Sequence, residues 1–168
     1  MELWEISARE SIRDLTTRYN SNGDAGRFAN VRELFHDDAV MDLEGVVKTG
    51  LDEIMTIFTG TQSKLHSVNV KADVKADART DGNADTGAPK ERAALPYVRH
   101  FTATHQIDLV DENNATGRLY FFVVTPIGPD HWGRYTDTYR TNAAGQWKFA
   151  RRHVKVDGRS ANSLFGGI

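Results

Sequence analysis

Cysteine is absent from the 168-residue chain, which excludes disulfides, thiolate metal sites and a cysteine nucleophile. A strong excess of either charge is also missing, because 21 basic residues accompany 23 acidic ones. This balance argues against nucleic acid or an anionic membrane as the main partner. No apolar run approaches the roughly 18 residues that span a bilayer, and the chain does not open with the pattern of a signal peptide. We therefore expect a cytoplasmic protein.

The sequence also lacks the short motifs that hold common cofactors and metals. It has no glycine-rich phosphate loop, no G-x-S-x-G and no H-E-x-x-H. The adjacent residues 36–38 (His-Asp-Asp) cannot readily converge on one ion, and three further histidines have no partner at ligand spacing: His66, His105 and His131. We expect neither a metal nor a cofactor.

The first part of the chain predicts short helices around one strand. Ser7 and Glu10 have the spacing of a capping box, and the apolar residues around them recur at helical intervals: Ala8, Ile12, Leu15 and Tyr19. This helix is expected to end at residues 20–23, which favour turns. We then expect a second short helix over 28–35, a strand over 39–43 and, after Gly50, a third helix.

Residues 71–96 have a different texture. Between Ala76 and Ala94 there is no bulky apolar side chain, so burial cannot offset the cost of ordering this segment. We interpret it as a mobile loop, either a lid or an insertion, and residues 158–168 as a C-terminal tail of the single domain that spans residues 1–168.

The second half of the chain predicts four strands separated by turn-rich connections: 98–110, 115–125, 132–140 and 147–156. Helices followed by such strands indicate an α+β fold with helices on one face of the sheet. We predict a cone-shaped, curved antiparallel sheet with about three N-terminal helices enclosing a pocket for a small molecule.

An ordered set of motifs resembles the SnoaL-like proteins of the nuclear-transport-factor-like superfamily. The motifs are Tyr19-x-x-x-x-Asp24, Leu34 to Ala39, Arg99 to Thr102, Ala115 to Arg118, Tyr135 to Tyr139, and Gly145 to Phe149. The enzymes that these motifs resemble are scytalone dehydratase, the bile acid 7α-dehydratases and hexachlorocyclohexane dehydrochlorinase. The resemblance implies a pocket for a small apolar or aromatic molecule, no cofactor, and a homo-oligomer (dimer or trimer) packed through the outer sheet face.

The resemblance also implies an aspartate–histidine dyad. The matching residues are Asp24 and His100, in which the histidine removes a substrate proton and the aspartate orients it, and the tyrosine of these dehydratases matches Tyr19. Arg140 is a candidate for the arginine that some of these enzymes use. The acidic residue that follows the Thr-Gly-Arg strand in the bile acid enzymes is replaced here by residues 119–123, Leu-Tyr-Phe-Phe-Val.

Each of these residues has a structural alternative. Asp24 could cap the second helix, and Tyr19 could be a core residue. Strict alternation along the strand places His100 on a polar face, opposite to Phe101 and Ile107, unless a bulge reverses the alternation. Four further residues are candidate pocket walls, with packing in the sheet or core as the alternative: Tyr120, Trp132, Tyr139 and His153.

The leading prediction is a lyase or isomerase that catalyses a dehydration, a double-bond migration or another elimination. One alternative is a non-catalytic binding or structural subunit, which would resemble the small subunit of aromatic-ring-hydroxylating dioxygenases. A polyketide-type cyclase that uses the same acid–base pair is a further alternative.

Overall fold

The computed structural model describes residues 1–60 and 97–165, in which three helices cover one face of a curved, unclosed sheet of six strands. The helices are α1 (Leu3–Asp24), α2 (Phe28–Arg32) and α3 (51–60). The strands are β1 (Phe35–Leu43), β2 (Val46–Thr49), β3 (Arg99–Leu109), β4 (Asn114–Thr125), β5 (Gly128–Thr141) and β6 (Trp147–Arg159). The predicted α+β fold is confirmed.

The sheet has the strand order β2-β1-β6-β5-β4-β3. Four of the five pairings are antiparallel, but β1 runs parallel to β6, so the sheet is mixed and the prediction of a purely antiparallel sheet is wrong for this pair. The strand β2 was not predicted. All of the predicted loop 71–96 and the last three residues of the predicted tail lie outside the described residues.

The helix α1 is longer than predicted at both ends. It begins at Leu3, not near Ser7, and the side chain of Glu5 accepts a hydrogen bond of 2.6 Å from the backbone N–H of Glu2. At its other end it continues through residues 20–23, where the side chain of Arg27 donates a hydrogen bond of 2.8 Å to the side-chain oxygen of Asn22. This additional turn carries Asp24 towards the sheet.

The apolar face of α1 packs on the sheet as predicted. Ile12, Leu15 and Tyr19 are buried in one cluster with Phe35 and Phe149. None of the described helices is long and apolar enough to cross a membrane.

A β-bulge in β3 reverses the alternation of its side chains. The register shifts between Ala103 and Gln106, and Thr104 between them has a φ of 54°. After the bulge, odd-numbered residues face inward and Ile107 is only 3% exposed; before it, Phe101 faces outward and is 60% exposed. The bulge therefore places His100 on the inner face, together with Ile107, instead of on the polar outer face.

A second bulge reverses the alternation in β6. Tyr139 pairs with Phe149, but its neighbour Thr138 pairs with Arg151, so one extra residue enters β6 between these positions. Arg152 consequently faces inward and is fully buried, whereas His153 faces outward.

Candidate active site

A cavity of about 450 Å³ lies between the helices and the inner face of the sheet. Its walls are largely apolar and aromatic, with side chains from all three helices and from five of the strands. The titratable side chains on the wall include Tyr19, Asp24, His100, His131 and Tyr135. A largely apolar cavity with a few convergent polar groups is typical of a small-molecule site.

Asp24 and His100 meet at this cavity. The ring nitrogen Nδ1 of His100 lies 2.5 Å from one carboxylate oxygen of Asp24, and the backbone N–H of His100 donates a hydrogen bond of 2.8 Å to the other. The side chains are 25% and 11% exposed for His100 and Asp24, respectively. A carboxylate that accepts from Nδ1–H leaves Nε2 of the imidazole as the atom available to a substrate.

The structural alternatives for these two residues do not hold. The residue at the N-cap of α2 is Arg27, and Asp24 instead forms the last residue of α1. His100 lines the cavity and is not a solvated residue of the outer face, because the bulge in β3 turns it inward.

Tyr19 is a buried residue of the core cluster, as one of its two predicted alternatives has it, and it also lines the cavity. Burial raises the pKa of its hydroxyl above the usual value, and the neighbouring Arg152 cation offsets this only in part. Tyr135, beside it, has its pKa raised for the same reason. Both phenols consequently remain hydrogen-bond donors at neutral pH.

A buried arginine lies beneath these phenols. The guanidinium of Arg152 is 4.1 Å from the ring centroids of both Tyr19 and Tyr135, and it donates hydrogen bonds of 2.9 and 2.7 Å to the two oxygens of Asp137. Asp137 also accepts a hydrogen bond of 2.9 Å from the hydroxyl of Tyr139. Arg152 was not predicted as an inward residue, because alternation without a bulge places it on the outer face.

The residues predicted as pocket walls lie elsewhere. Tyr120 and Trp132 occupy outward positions of β4 and β5 and are exposed. Tyr139 is fully buried in the core cluster that contains Ile12. Their predicted role is corrected, because none of the three lines the cavity.

Arg140 and His153 are also outside the cavity lining. Arg140 forms an exposed ion pair with Asp38 at 2.7 Å, and His153 lies 3.2 Å from Asp42 on the outward side of β6. The prediction for His153 rested on its two-residue spacing from Trp147 and Phe149, which the bulge in β6 interrupts.

His131 is a cavity residue that the sequence analysis set aside for lack of a partner. Its Nδ1 lies 2.8 Å from a carboxylate oxygen of the fully buried Asp130, the preceding residue. Burial lowers the pKa of His131, although Asp130 partly opposes this effect. The signal that could have identified the pair is an aspartate–histidine dipeptide at the start of a strand.

The described residues, 1–60 and 97–165, contain no group of three or more metal-ligating side chains close enough to hold an ion.

The chain is similar to known proteins in its family pattern and in its fold. The model of the SnoaL-like domain matches residues 4–153. A candidate scytalone dehydratase from Novosphingobium aromaticivorans DSM 12444 is 19% identical with a TM-score of 0.69, covering 100% of this chain and 99% of that one. A hexachlorocyclohexane dehydrochlorinase from Novosphingobium barchaimii LL02 is 14% identical with a TM-score of 0.68, covering 95% and 93%.

A candidate aromatic ring hydroxylase from Novosphingobium aromaticivorans is 20% identical, with a TM-score of 0.62 and 91% coverage of both chains. No curated protein matches the sequence. Because the family model spans most of the chain, this protein belongs to the SnoaL-like domain family.

Proposed function

We propose that this protein is a cofactor-independent lyase or isomerase that removes a proton from a small apolar or aromatic substrate. The observation that carries this proposal is the contact between Asp24 and His100 at a largely apolar cavity. An imidazole has an unperturbed pKa near neutrality, which makes it an effective base at working pH. Two proteins of similar fold are a dehydrochlorinase and a candidate scytalone dehydratase, and this likeness supports an elimination reaction.

In the proposed step, Nε2 of His100 accepts a proton from a carbon next to a substrate carbonyl. The electron pair of the broken C–H bond moves into an enolate, and Asp24 stabilises the imidazolium that forms, as a carboxylate does in serine hydrolases. General base assistance of this kind contributes about 10²- to 10⁴-fold to the rate.

Tyr19 is proposed to donate a hydrogen bond to the carbonyl oxygen, where negative charge develops. Tyr135 lies beside it, and both rings pack on the guanidinium of Arg152, which fixes their position at the cavity. Donors that are fixed in advance and shielded from water stabilise a developing oxyanion most effectively.

Chemical probes can test this proposal. The aldol of benzaldehyde and acetone is a small aromatic β-hydroxy ketone, and its dehydration to benzylideneacetone is followed by ultraviolet absorbance. We expect the wild-type protein to accelerate this reaction and His100→Gln and Asp24→Asn to lose the acceleration, while His36→Gln, outside the cavity lining, retains it. Full activity in both dyad variants would show that the proposed base is wrong.

A structural-subunit role is the second candidate. It is favoured by a row of exposed aromatic residues that adjacent strands bring together on the outer face, Phe101, Phe122 and Trp132, and by the likeness to a candidate ring hydroxylase. We propose that a second copy of this chain covers the row, as the family resemblance implies.

A polyketide-type cyclase would retain the dyad and differ only in substrate.

A further inference from the structure

We propose that His131, held by Asp130, is a second proton-transfer residue of the cavity and protonates the leaving group of the substrate. This inference rests on the proposed function, in which His100 removes the C–H proton. It narrows the substrate class to compounds with a poor leaving group, such as a hydroxyl, on the carbon next to the acidic C–H.

The carboxylate of Asp130 is held rigidly by groups from two segments. It accepts hydrogen bonds from the hydroxyl of Ser163 at 2.6 Å, the backbone N–H of Leu164 at 2.9 Å and the hydroxyl of Thr125 at 3.2 Å. Burial favours the neutral form of this carboxyl group, but the hydrogen bonds from Ser163, Leu164 and His131 outweigh it and hold the pKa of Asp130 below its usual value. An ionised Asp130 fixes the proton of His131 on Nδ1 and leaves Nε2 for the cavity.

The two imidazoles lie within reach of one small molecule. The ring centres of His100 and His131 are 6.5 Å apart, with their planes at 86°. A nitrogen that transfers a proton approaches its partner atom to about 3 Å, so the two rings can contact groups on neighbouring carbons. The rings of Phe121 and Phe165 pack against His131 at 5.9 and 5.1 Å and shield it from water.

The charged and titratable groups that face His131 act on its protonation in opposite directions. Burial disfavours the imidazolium form of His131, as do a proton on His100 and the cation of Arg159, and Asp130 opposes these effects only in part, so the pKa of His131 is lowered. Two imidazolium ions in one cavity repel each other. The proposed step starts from the state with a neutral His100 and a proton on His131, which the carboxylate of Asp130 stabilises and burial disfavours.

The proposed elimination balances with these two residues alone. His100 Nε2 takes the proton from the carbon, and the electron pair of that bond, first held in the enolate, then forms the new C=C bond. The C–O bond breaks with its electron pair on oxygen, which takes the proton from His131 Nε2 and leaves as water. The site then holds a protonated His100 and a neutral His131, and transfer of one proton between the imidazoles restores it.

Two probes separate the roles of the histidines. Exchange of the α-methylene hydrogens of benzylacetone in D₂O requires only a base, since this ketone has no leaving hydroxyl, whereas dehydration of its β-hydroxy derivative (the benzaldehyde–acetone aldol) requires an acid as well. We expect His131→Gln to retain exchange within about twofold but to lose at least about 100-fold in dehydration. His100→Gln should lose both reactions, and His36→Gln neither.

The outcomes distinguish this assignment from the proposed function. Equal loss of both reactions in His131→Gln, or loss of neither, overturns the role of His131 as the acid. Neither result contradicts the role of His100 as the base. Failure of the wild-type protein to catalyse either reaction counts against the proposed function itself, and against this assignment with it.

The pH profiles of the wild-type protein give a second test, which does not depend on whether a variant folds. Exchange should rise with pH to a plateau, because it requires only a neutral base. Dehydration should rise and then fall, because it also requires a proton on His131. Two profiles with the same single limb would overturn the assignment.

Discussion

Asp24 receives two hydrogen bonds from the same residue, one from the ring of His100 at 2.5 Å and one from its backbone N–H at 2.8 Å. The backbone bond fixes the carboxylate relative to β3, and the ring bond then fixes the imidazole relative to the carboxylate. A dyad held in this way keeps its geometry without help from a substrate, which favours proton transfer over a flexible arrangement.

Substitutions of the two glycines near the end of α1 test where this helix ends and therefore how Asp24 is positioned. Gly23 lies within the helix, and a Cβ there meets nothing within 4 Å. Gly23→Ala should therefore stabilise the protein by about 0.5–1 kcal/mol in urea unfolding. Gly26 has a φ of 68°, so Gly26→Ala should instead destabilise it by about 1–2 kcal/mol. Equal effects of the two changes would contradict the observed helix end.

The buried pair of Arg152 and Asp137 should dominate stability beneath the cavity. Both side chains are fully buried, so Arg152→Gln leaves an unpaired buried carboxylate and should cost about 3–5 kcal/mol in the free energy of unfolding. Arg151→Gln is the matched control. Arg151 is an exposed side chain that pairs with Asp42, so its replacement should cost at most about 1 kcal/mol. A small effect at Arg152 would contradict the described network.

The stability of the protein should decrease in acid partly because of Asp130. Its pKa in the folded state is below its usual value, so the ionised form favours folding above the unfolded pKa of about 3.9. This contribution is lost as the pH falls through the folded pKa. Urea unfolding between about pH 2 and 6 should show a shallower loss for Asp130→Asn than for wild type. An unchanged slope would exclude this carboxylate as the cause.

The outer face of the sheet tests self-association. Phe101 and Val110 are both exposed residues of the same chain segment, but only Phe101 belongs to the aromatic row opposite Phe122. Light scattering after size-exclusion chromatography should show a homo-oligomer for wild type and Val110→Glu, and a smaller species for Phe101→Glu. A wild-type monomer would exclude the second copy, and co-purification with a larger chain would favour the structural-subunit role.

Much of the fold could be predicted from the sequence, because helical spacing around Ile12 and alternation over residues 115–125 are local signals. The parallel pairing of β1 with β6 could not, since it joins Met41 to Arg152 across more than half of the chain. Motif order identified Asp24 and His100, whereas alternation alone would have placed His100 outside the cavity.

The exchange of His153 for Arg152 and the inward position of His100 have the same physical cause. Each bulge inserts a single residue and exchanges the two faces of a strand from that point onward. Because of one extra residue in β6, Arg152 faces inward in place of His153. The extra residue in β3 likewise turns His100 inward. No composition or spacing rule identifies such an insertion before the strands are paired.

The most direct test of the central claim is a double-mutant cycle at the dyad, measured as the rate of dehydration of the benzaldehyde–acetone aldol. If Asp24 acts only through His100, Asp24→Asn and His100→Gln should each reduce the rate by about 10²- to 10⁴-fold, and the double variant should be no slower than the slower single variant. A wild-type rate in either single variant, or losses that multiply in the double variant, would contradict the claim.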